Sequence, residues 1–253
     1  MEISLKNKKA LVTGGSGGLG STISLLLAEC GADVAVHYNS NAGMADRVVN
    51  EIKSMGRNSI AVKADVTKYE SICEMKSILE ADFGMPDILI PNAVIQYPFK
   101  PLLEQDPDDY YSQFESCVMQ MVYLAKAFVP HMIEQNYGKI VAINTEVSML
   151  MQPTYSAYVA GKRGLDGIVR VLAKEVGEHN ITINQVAPGW TITYKERETG
   201  VDPAPEYVSS VPLKRRGTDD DIARMVAFLA SDLASFTTGA YIPVAGGNVM
   251  PTI

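Results

Sequence analysis

The sequence is poor in the residues that bind transition metals or form disulfides. Its 253 residues include only three cysteines and three histidines. Cys30, Cys73 and Cys117 lie far apart, and none belongs to a Cys-x-x-Cys pair. An odd number of widely spaced cysteines fits neither a disulfide framework nor a zinc site. We therefore predict a protein with no metal centre and with reduced cysteines.

The sequence also lacks a basic run and a long apolar run. Its 22 lysines and arginines are outnumbered by 29 acidic residues, which gives a formal net charge of −7. This charge disfavours nucleic acid as a partner. No window reaches the ~18 apolar residues of a membrane span, and the first residues do not resemble a signal peptide. We expect a cytoplasmic protein that binds neither nucleic acid nor membranes.

Apolar residues, by contrast, make up 47% of the chain and recur in two kinds of segment. Short β-branched runs, such as residues 33–38 and 59–63, alternate with longer amphipathic stretches, such as residues 42–55 and 69–83. This alternation predicts βαβ units and a parallel sheet that helices cover on both faces. We count seven strands and expect one α/β domain over residues 1–253, a doubly wound three-layer sandwich.

One long segment, residues 190–216, contains proline and glutamate and has weak periodicity. Long irregular segments in compact domains often act as lids over a substrate. The alternative is that the segment forms ordinary surface helices. We keep the substrate lid as the main hypothesis.

A glycine-rich turn connects the first predicted strand to the first predicted helix. Residues 11–20 read LVTGGSGGLG. Glycines allow the backbone to approach a pyrophosphate closely, and the N-terminus of the following helix offers unpaired N–H groups. The turn therefore predicts a dinucleotide site, with Gly14, Ser16, Gly18, Leu19 and Gly20 as its members.

A tyrosine and a lysine form a second candidate site. Tyr158 and Lys162 lie four residues apart in a predicted helix, so both side chains are on one face. A free phenol has a pKa of ~10, so proton transfer near neutral pH needs a cation that stabilises the phenolate. On its own, such a pair is more often an exposed surface pair, and the catalytic interpretation depends on neighbouring motifs.

Several motifs together resemble the short-chain dehydrogenase/reductase family over residues 5–249. The glycine turn has the spacing Thr-Gly-x-x-x-Gly-x-Gly, and Thr145 precedes Tyr158 by 13 residues, where the family has a serine. A Pro-Gly-x-x-x-Thr segment begins at Pro188. The pattern is most similar to 3-oxoacyl-carrier-protein reductases and related ketoreductases. The resemblance implies a Rossmann-type fold and a nicotinamide cofactor.

The resemblance also implies a role for each site residue. Tyr158 would exchange the substrate proton, Lys162 would bind the nicotinamide ribose and stabilise the phenolate, and Thr145 would polarise the carbonyl. Without the resemblance, Asp65 would be read as a turn cap. Cofactor contacts are implied, besides the glycine turn, for Asn39, Asp65, Val66, Asn92, Ala93, Tyr158, Lys162, Pro188, Gly189, Thr191 and Thr193.

The end of the second strand bears on the choice between NAD and NADP. Relatives that prefer NAD carry an acidic residue at the position of Tyr38, where it holds the ribose hydroxyls. Tyr38 is not acidic, which leaves room for the 2′-phosphate of NADP. The arginines that often bind this phosphate are missing as well, because Gly17 and Asn39 stand at those positions. The sequence favours NADP and leaves NAD open.

Some positions depart from the family pattern. Pro91 and Val94 flank Asn92-Ala93 where the family has asparagine and glycine, and Ala245 replaces an aspartate. Cys117 falls where an asparagine usually holds a water of the lysine proton relay. We interpret Cys117 as a packing residue, because no histidine lies nearby in sequence to activate a thiol. These departures leave the fold unaffected and put the catalytic rate in doubt.

The resemblance implies an NAD(P)H-dependent oxidoreductase that moves a hydride between nicotinamide and a carbonyl or alcohol carbon, as a ketoreductase of 3-oxoacyl type. The substrate would be a small molecule, with acyl thioesters among the candidates, and the assembly a homotetramer or homodimer. Candidates for an apolar substrate pocket are Met149, Met151, Tyr155 and Trp190. Two alternatives stay open: a dinucleotide-binding protein with little or no catalysis, and an NAD-dependent alcohol or sugar dehydrogenase.

Overall fold

A seven-stranded parallel sheet forms the centre of the molecule. The computed structural model describes residues 2–250. The strands of the sheet are β1 (Lys9–Val12), β2 (Asp33–Tyr38), β3 (Ser59–Lys63), β4 (Ile88–Ile90), β5 (Gly138–Ile143), β6 (Ile181–Pro188) and β9 (Tyr241–Val244). They lie in the order β3-β2-β1-β4-β5-β6-β9, and every neighbouring pair is parallel. This confirms the predicted Rossmann-type α/β fold.

Helices cover both faces of this sheet, and short elements follow β6. The helices are α1 (Gly18–Glu29), α2 (Ala42–Ser54), α3 (Tyr69–Asp82), α4 (Pro107–Gln113), α5 (Gln120–Glu134), α6 (Val147–Leu150), α7 (Ser156–Val176), α8 (Tyr194–Thr199), α9 (Pro205–Ser210) and α10 (Asp219–Ala230). Two-residue strands β7 (Thr191–Ile192) and β8 (Gly217–Thr218) pair with each other. Of the described residues, no helix is long and apolar enough to cross a membrane.

Two apolar clusters, one on each side of the sheet, form the core. One cluster includes Ile23 of α1 and Val226 of α10, and the other includes Phe128 of α5 and Val169 of α7. Neighbouring strand residues point to opposite sides and enter different clusters. Strands buried on both faces consist of continuous β-branched and aliphatic runs, which is why the sequence predicts them well.

The strand order reverses between β1 and β4. In sheets of this kind, the crevice at the carboxyl ends of the strands, next to the reversal, is where ligands bind. The glycine turn after β1 and the loop after β4 lie on either side of this point. The topology therefore brings the predicted dinucleotide and catalytic motifs to one edge of the sheet.

The structure differs from the sequence-based prediction in two places. The predicted helix near residues 110–134 begins earlier, at Pro107, and is interrupted by a π-helical segment, Phe114–Met119. Residues 190–216 are more regular than predicted, because they include β7, α8 and α9. Both helices are only six residues long, too short for a clear helical period.

Candidate active site

A cleft of about 560 Å³ lies at the carboxyl ends of the central strands. This volume is in the usual range of small-molecule and cofactor sites. Its lining contains all the predicted catalytic and cofactor residues except Asp65, and none of the four candidates for the apolar substrate pocket, Met149, Met151, Tyr155 and Trp190. The predicted residues in the lining are Gly14, Ser16, Gly18, Leu19, Gly20, Asn39, Val66, Asn92, Ala93, Thr145, Tyr158, Lys162, Pro188, Gly189, Thr191 and Thr193.

The glycine turn is built closely enough that side chains would not fit. A Cβ atom on Gly20 would lie 2.1 Å from the carbonyl oxygen of Gly14, and Gly14 has a φ of +62°. The first helical residue after the turn is Gly18, and the N-cap, Gly17, provides no side-chain hydrogen bond to the helix. The first N–H groups of this helix, α1, therefore have no capping side chain, and the turn fits the pyrophosphate of a dinucleotide.

A buried histidine, His37, holds the glycine turn in place through a hydrogen bond to its backbone. The Nδ1 atom of His37 accepts from the N–H of Gly14 at 2.9 Å, and Nε2 contacts the carbonyl oxygen of Ala64 at 3.0 Å. The ring must therefore carry its proton on Nε2. Burial lowers the pKa of His37 to about 4, so the ring is neutral at physiological pH. Nothing in the local sequence distinguishes this residue from an ordinary strand residue, and the sequence-based prediction missed it.

A second network joins the glycine turn to the loop after β4. The hydroxyl of Thr13 accepts from the N–H groups of Asn92 and Ala93, at 2.9 and 3.1 Å, and donates to Gln120 at 2.7 Å. The amide of Asn92 donates to the carbonyl of Thr13 at 2.9 Å. Gln120 in turn donates to the carbonyl of Ala93 at 2.8 Å. Asn92 thus holds two loops together at the cleft, and Gln120 is a further member that sequence reasoning missed.

Asp65 points its carboxylate at its own turn rather than into the cleft. Its Oδ1 atom accepts from the N–H and the hydroxyl of Thr67, at 3.0 and 2.6 Å, and Oδ2 lies 3.5 Å from Lys68 Nζ. These are the contacts of a turn cap. The neighbouring Val66 lines the cleft as predicted. Contact between Asp65 and adenine stays a prediction.

Tyr158 and Lys162 share one face of α7, which points into the cleft. The ammonium nitrogen of Lys162 lies 5.7 Å from the centre of the Tyr158 ring. Lys162 is buried, and its ammonium donates to the carbonyl of Ile143 at 2.7 Å. The backbone N–H of Tyr158 donates to the hydroxyl of Tyr97 at 2.8 Å. The charge and the phenol are therefore held on a rigid helix, within reach of the same bound molecule.

Thr145 follows β5 and faces the same part of the cleft. Its hydroxyl accepts from the N–H of Val147 at 3.3 Å and, within residues 2–250, donates to no protein group. Its carbonyl accepts from Tyr241 at 2.6 Å and Ser148 at 3.0 Å, which fixes the backbone. The free hydroxyl proton is available to a carbonyl oxygen in the cleft.

The π-helical segment changes which residues of the long helix face the cleft. Cys117 is buried and absent from the cleft lining, whereas its neighbour Ser116 is part of it. The Ser116 hydroxyl donates to the carbonyl of Ser112 at 2.7 Å. This placement agrees with interpreting Cys117 as a packing residue. The place of buried Ser116 in the cleft lining follows from the irregular helix, which a regular 3.6-residue period does not predict.

A buried carboxylate next to Thr145 ties four segments together. Glu146 accepts from the hydroxyl of Tyr207 in α9 at 2.8 Å and from the amide of Asn248 at 3.0 Å. The Tyr207 oxygen accepts from the N–H of Trp190 at 2.8 Å. Burial raises the pKa of Glu146, although these donors oppose the shift. Sequence reasoning missed this cluster because a single glutamate after a strand looks like a solvent-exposed residue.

One ion pair fixes the segment of residues 190–216 internally, and a second holds it against the body of the protein. Buried Arg216 binds Glu196 through two hydrogen bonds, of 2.5 and 2.8 Å, and its guanidinium lies 4.6 Å from the Trp190 ring centre. Arg197 also forms a bidentate pair, with buried Asp219, through hydrogen bonds of 2.8 and 3.0 Å. Arginine and carboxylate groups match well in this geometry. The Arg197–Asp219 pair and the bond of Tyr207 to Glu146 connect the segment to residues outside it.

Comparison with known proteins agrees with this geometry. A family model described as enoyl-(acyl carrier protein) reductase matches residues 14–248. A 3-oxoacyl-[acyl-carrier-protein] reductase from Staphylococcus epidermidis is 38% identical over 246 residues, which cover 96% of this chain and 100% of the relative. The chain belongs to the short-chain dehydrogenase/reductase family.

Solved structures of similar proteins carry the same fold over nearly the whole chain. A gluconate 5-dehydrogenase from Burkholderia cenocepacia, in complex with NADP and tartrate, has a TM-score of 0.90 and 28% identity, covering 98% of this chain and 97% of its own. A 7α-hydroxysteroid dehydrogenase, complexed with NADH and 7-oxo glycochenodeoxycholic acid, also has a TM-score of 0.90 and 28% identity, covering 99% of this chain and 97% of its own. This short-chain dehydrogenase/reductase is an oxidoreductase that uses a nicotinamide dinucleotide.

Proposed function

We propose that this short-chain dehydrogenase/reductase is a ketoreductase of 3-oxoacyl type that uses NADPH. The observation that supports it best is the position of Tyr158, Lys162 and Thr145 in the same cleft as the glycine turn. The similarity to a 3-oxoacyl-[acyl-carrier-protein] reductase supports the substrate type. The glycine turn, Asn39, Val66, Asn92, Ala93, Pro188, Gly189, Thr191 and Thr193 hold the cofactor in this proposal.

The side chains of the cleft suit carbonyl reduction. The hydride comes from the nicotinamide ring when the cofactor is bound. The hydroxyl of Thr145 donates a hydrogen bond to the carbonyl oxygen and so polarises the C=O bond, without giving up its proton. Tyr158 gives the oxygen its proton, and the nearby ammonium of Lys162 stabilises the phenolate that results. These three side chains carry the acid–base work in this proposal.

The test is NADPH oxidation against a panel of β-keto esters, diketones and acyl thioesters, with wild type and the Tyr158→Phe variant. We expect turnover by the wild type and a fall of at least about 100-fold in kcat for the variant, because general acid catalysis contributes about that much. NADPH binding, followed by fluorescence, should be retained. Binding without turnover on every compound, unchanged in the variant, would instead support a non-catalytic dinucleotide-binding protein.

The end of the cleft near β2 supports the NADP preference. Tyr38 and Asn39 line it, and neither carries a negative charge that would repel a 2′-phosphate. An NAD-dependent alcohol or sugar dehydrogenase is the second candidate; the similar 7α-hydroxysteroid dehydrogenase, complexed with NADH, supports the cofactor, and the similar gluconate 5-dehydrogenase supports the substrate type. Separate titrations with NADPH and NADH, in both reaction directions, distinguish the two. A lower KM for NADH together with faster alcohol oxidation would favour the second candidate.

We infer further that the chain works as one domain with residues 190–216 as its substrate lid, and as a homotetramer or homodimer in the cytoplasm. The lid is supported by the hydrogen bonds of Arg197 to Asp219 and of Tyr207 to Glu146, which place the segment beside the cleft. Exposed Phe114 and Val171 support helix-mediated assembly. Free thiols at all three cysteines fit a reducing compartment. Light scattering measures the oligomeric state directly.

A further inference from the structure

The segments around the reacting groups contain no cationic side chain apart from the buried lysine. Residues 92–99 after β4, 145–158 after β5 and 188–193 after β6 include no lysine, arginine or histidine. Lys162 is buried and bonded to the carbonyl of Ile143. Arg216 lies behind Trp190, but it is buried and neutralised by Glu196. A carboxylate or phosphate on the substrate would find no free counter-ion on these segments.

The same segments carry apolar side chains that are open to solvent. Ile95, Phe99, Met151 and Trp190 are exposed by 40% to 55%. They belong to the three loops at the carboxyl ends of β4, β5 and β6; Ile95 lines the cleft itself, and Phe99, Met151 and Trp190 lie outside its lining, on the same loops. Large apolar side chains gathered beside a cleft on a protein surface mark a binding site. The group that binds here should therefore be apolar.

The single carboxylate of these segments disfavours anions further. Glu146 is buried directly after Thr145, and its partners, Tyr207 and Asn248, are neutral. No cation balances its charge within the described segments, so its field extends toward the neighbouring cleft. Glu146 therefore opposes an anionic group near the Thr145 hydroxyl, and the positive charge of Lys162 in the same cleft is already used to stabilise the Tyr158 phenolate in the proposed reaction. Neutral substrates meet no such opposition.

Aromatic rings connect this apolar rim to the reacting tyrosine. The Phe99 ring lies 4.3 Å from that of Tyr155, which immediately precedes the first turn of α7. Tyr97 packs edge-on against Phe99 and binds the backbone of Tyr158. A flat or bulky apolar group resting against Phe99 and Tyr155 would lie close to the phenol that transfers the proton.

We propose that the substrate is an uncharged ketone whose carbonyl is attached to an aryl, cycloalkyl or alkyl body, and that keto acids are poor substrates. The inference rests on the proposed function and names the substrate class of that same cleft. This substrate class includes a 3-oxoacyl thioester, which is neutral around its ketone. The class excludes sugar acids such as the keto form of gluconate.

The experiment compares matched ketones that differ in charge. Ethyl benzoylacetate and benzoylacetate share the ring and the ketone, and only the second is a carboxylate; 5-ketogluconate is the sugar acid. For the wild type with NADPH, we expect kcat/KM to be at least about tenfold higher for the ester than for either acid. Equal or higher turnover of the acids would overturn the inference while leaving the ketoreductase proposal intact.

A variant with an added cation tests the physical reason. Met151→Arg places a free positive charge at the rim, and we expect it to reduce the preference for the ester at least threefold, with a lower KM for benzoylacetate. Met55→Arg, an exposed methionine at the end of α2, is the matched control and should leave the preference unchanged. An unchanged preference in Met151→Arg would overturn the inference. Absence of turnover on every compound would overturn the proposed function, and this inference with it.

Discussion

Tyr97 supports the reacting tyrosine from a loop that is 61 residues away in sequence. Its hydroxyl accepts from the backbone N–H of Tyr158, which lies in the first turn of α7. The first N–H groups of a helix have no partner within the helix, so an outside acceptor fixes their position. Tyr97 is therefore a positioning residue, because its contact is with the backbone of Tyr158.

We expect Tyr97→Phe to lower kcat about fivefold and to leave the KM for NADPH unchanged. A lost neutral hydrogen bond costs about 1 kcal/mol, which corresponds to about that factor in rate when the bond holds reacting groups in place. Tyr137→Phe is the matched control, because Tyr137 also loses one hydroxyl bond, to Asp232 at 3.1 Å, near the opposite end of the sheet. Steady-state kinetics checks both, and an equal fall of kcat in the two variants would contradict the positioning role.

Residues that act through local motifs could be predicted from the sequence, and those that act across long distances could not. Tyr158 and Lys162 are four residues apart on one helix, and the spacing alone puts them on one face. Thr13 and Gln120 form a 2.7 Å hydrogen bond across 107 residues, and neither has a local pattern. Glu146 becomes distinctive only when Tyr207 and Asn248 fold against it.

Two helices approach closely behind the reacting residues. A Cβ atom on Gly161 of α7 would lie 2.8 Å from the carbonyl oxygen of Gln113 in α4. A backbone atom cannot move aside as the end of a flexible side chain can. The glycine next to Lys162 therefore sets the distance between α7 and α4.

We expect Gly161→Ala to lower the free energy of unfolding by up to about 2 kcal/mol, because overpacking outweighs the gain in helix propensity. Gly167 lies in the same helix, and a Cβ atom added there would have no neighbouring atom within 4 Å. Gly167→Ala should raise the free energy of unfolding by about 0.5–1 kcal/mol. Urea unfolding measures both values. Stabilisation by both substitutions would show that the two helices separate freely.

Strands and helices could be predicted where the pattern of apolar residues and the length of the segment indicate the same kind of element. The limits of β2, β3, β4 and β9 follow from short β-branched runs between turn residues, and α10 begins with the capping box of Thr218 and Asp221. The π-helical segment Phe114–Met119 could not be predicted, because it lies within a continuous helical pattern. Gly161 and Gly164 of α7 lie against Gln113 and Val118 at this irregular turn. These are tertiary contacts, which the local sequence does not reveal.

Acid should lower the stability of the whole molecule through a few buried or hydrogen-bonded groups. Burial opposes ionisation of Asp219, but hydrogen bonds from Arg197 and Thr22 outweigh it and lower the pKa of its carboxyl. Hydrogen bonds from Arg215 lower the pKa of Asp221 to about 2. These carboxylates lose their stabilising effect only when the pH falls below the ordinary pKa of aspartate, ~3.9. His37 acts at higher pH, because burial lowers its pKa to about 4.

Between pH 6.5 and pH 4, the unfolded chain binds a proton at residue 37 that the folded protein does not bind. The free energy of unfolding therefore rises with pH over this interval and does not change through His37 above it. From pH 7.5 to pH 5, the loss through this residue is about 2 kcal/mol. We expect His37→Asn, which cannot titrate, to lose about 2 kcal/mol less than the wild type over that range. Urea unfolding at both pH values gives the difference, in which the carboxylates shared by the two proteins cancel. A parallel pH dependence in both proteins would mean that His37 already binds its proton in the folded state, which its bond to the Gly14 N–H forbids.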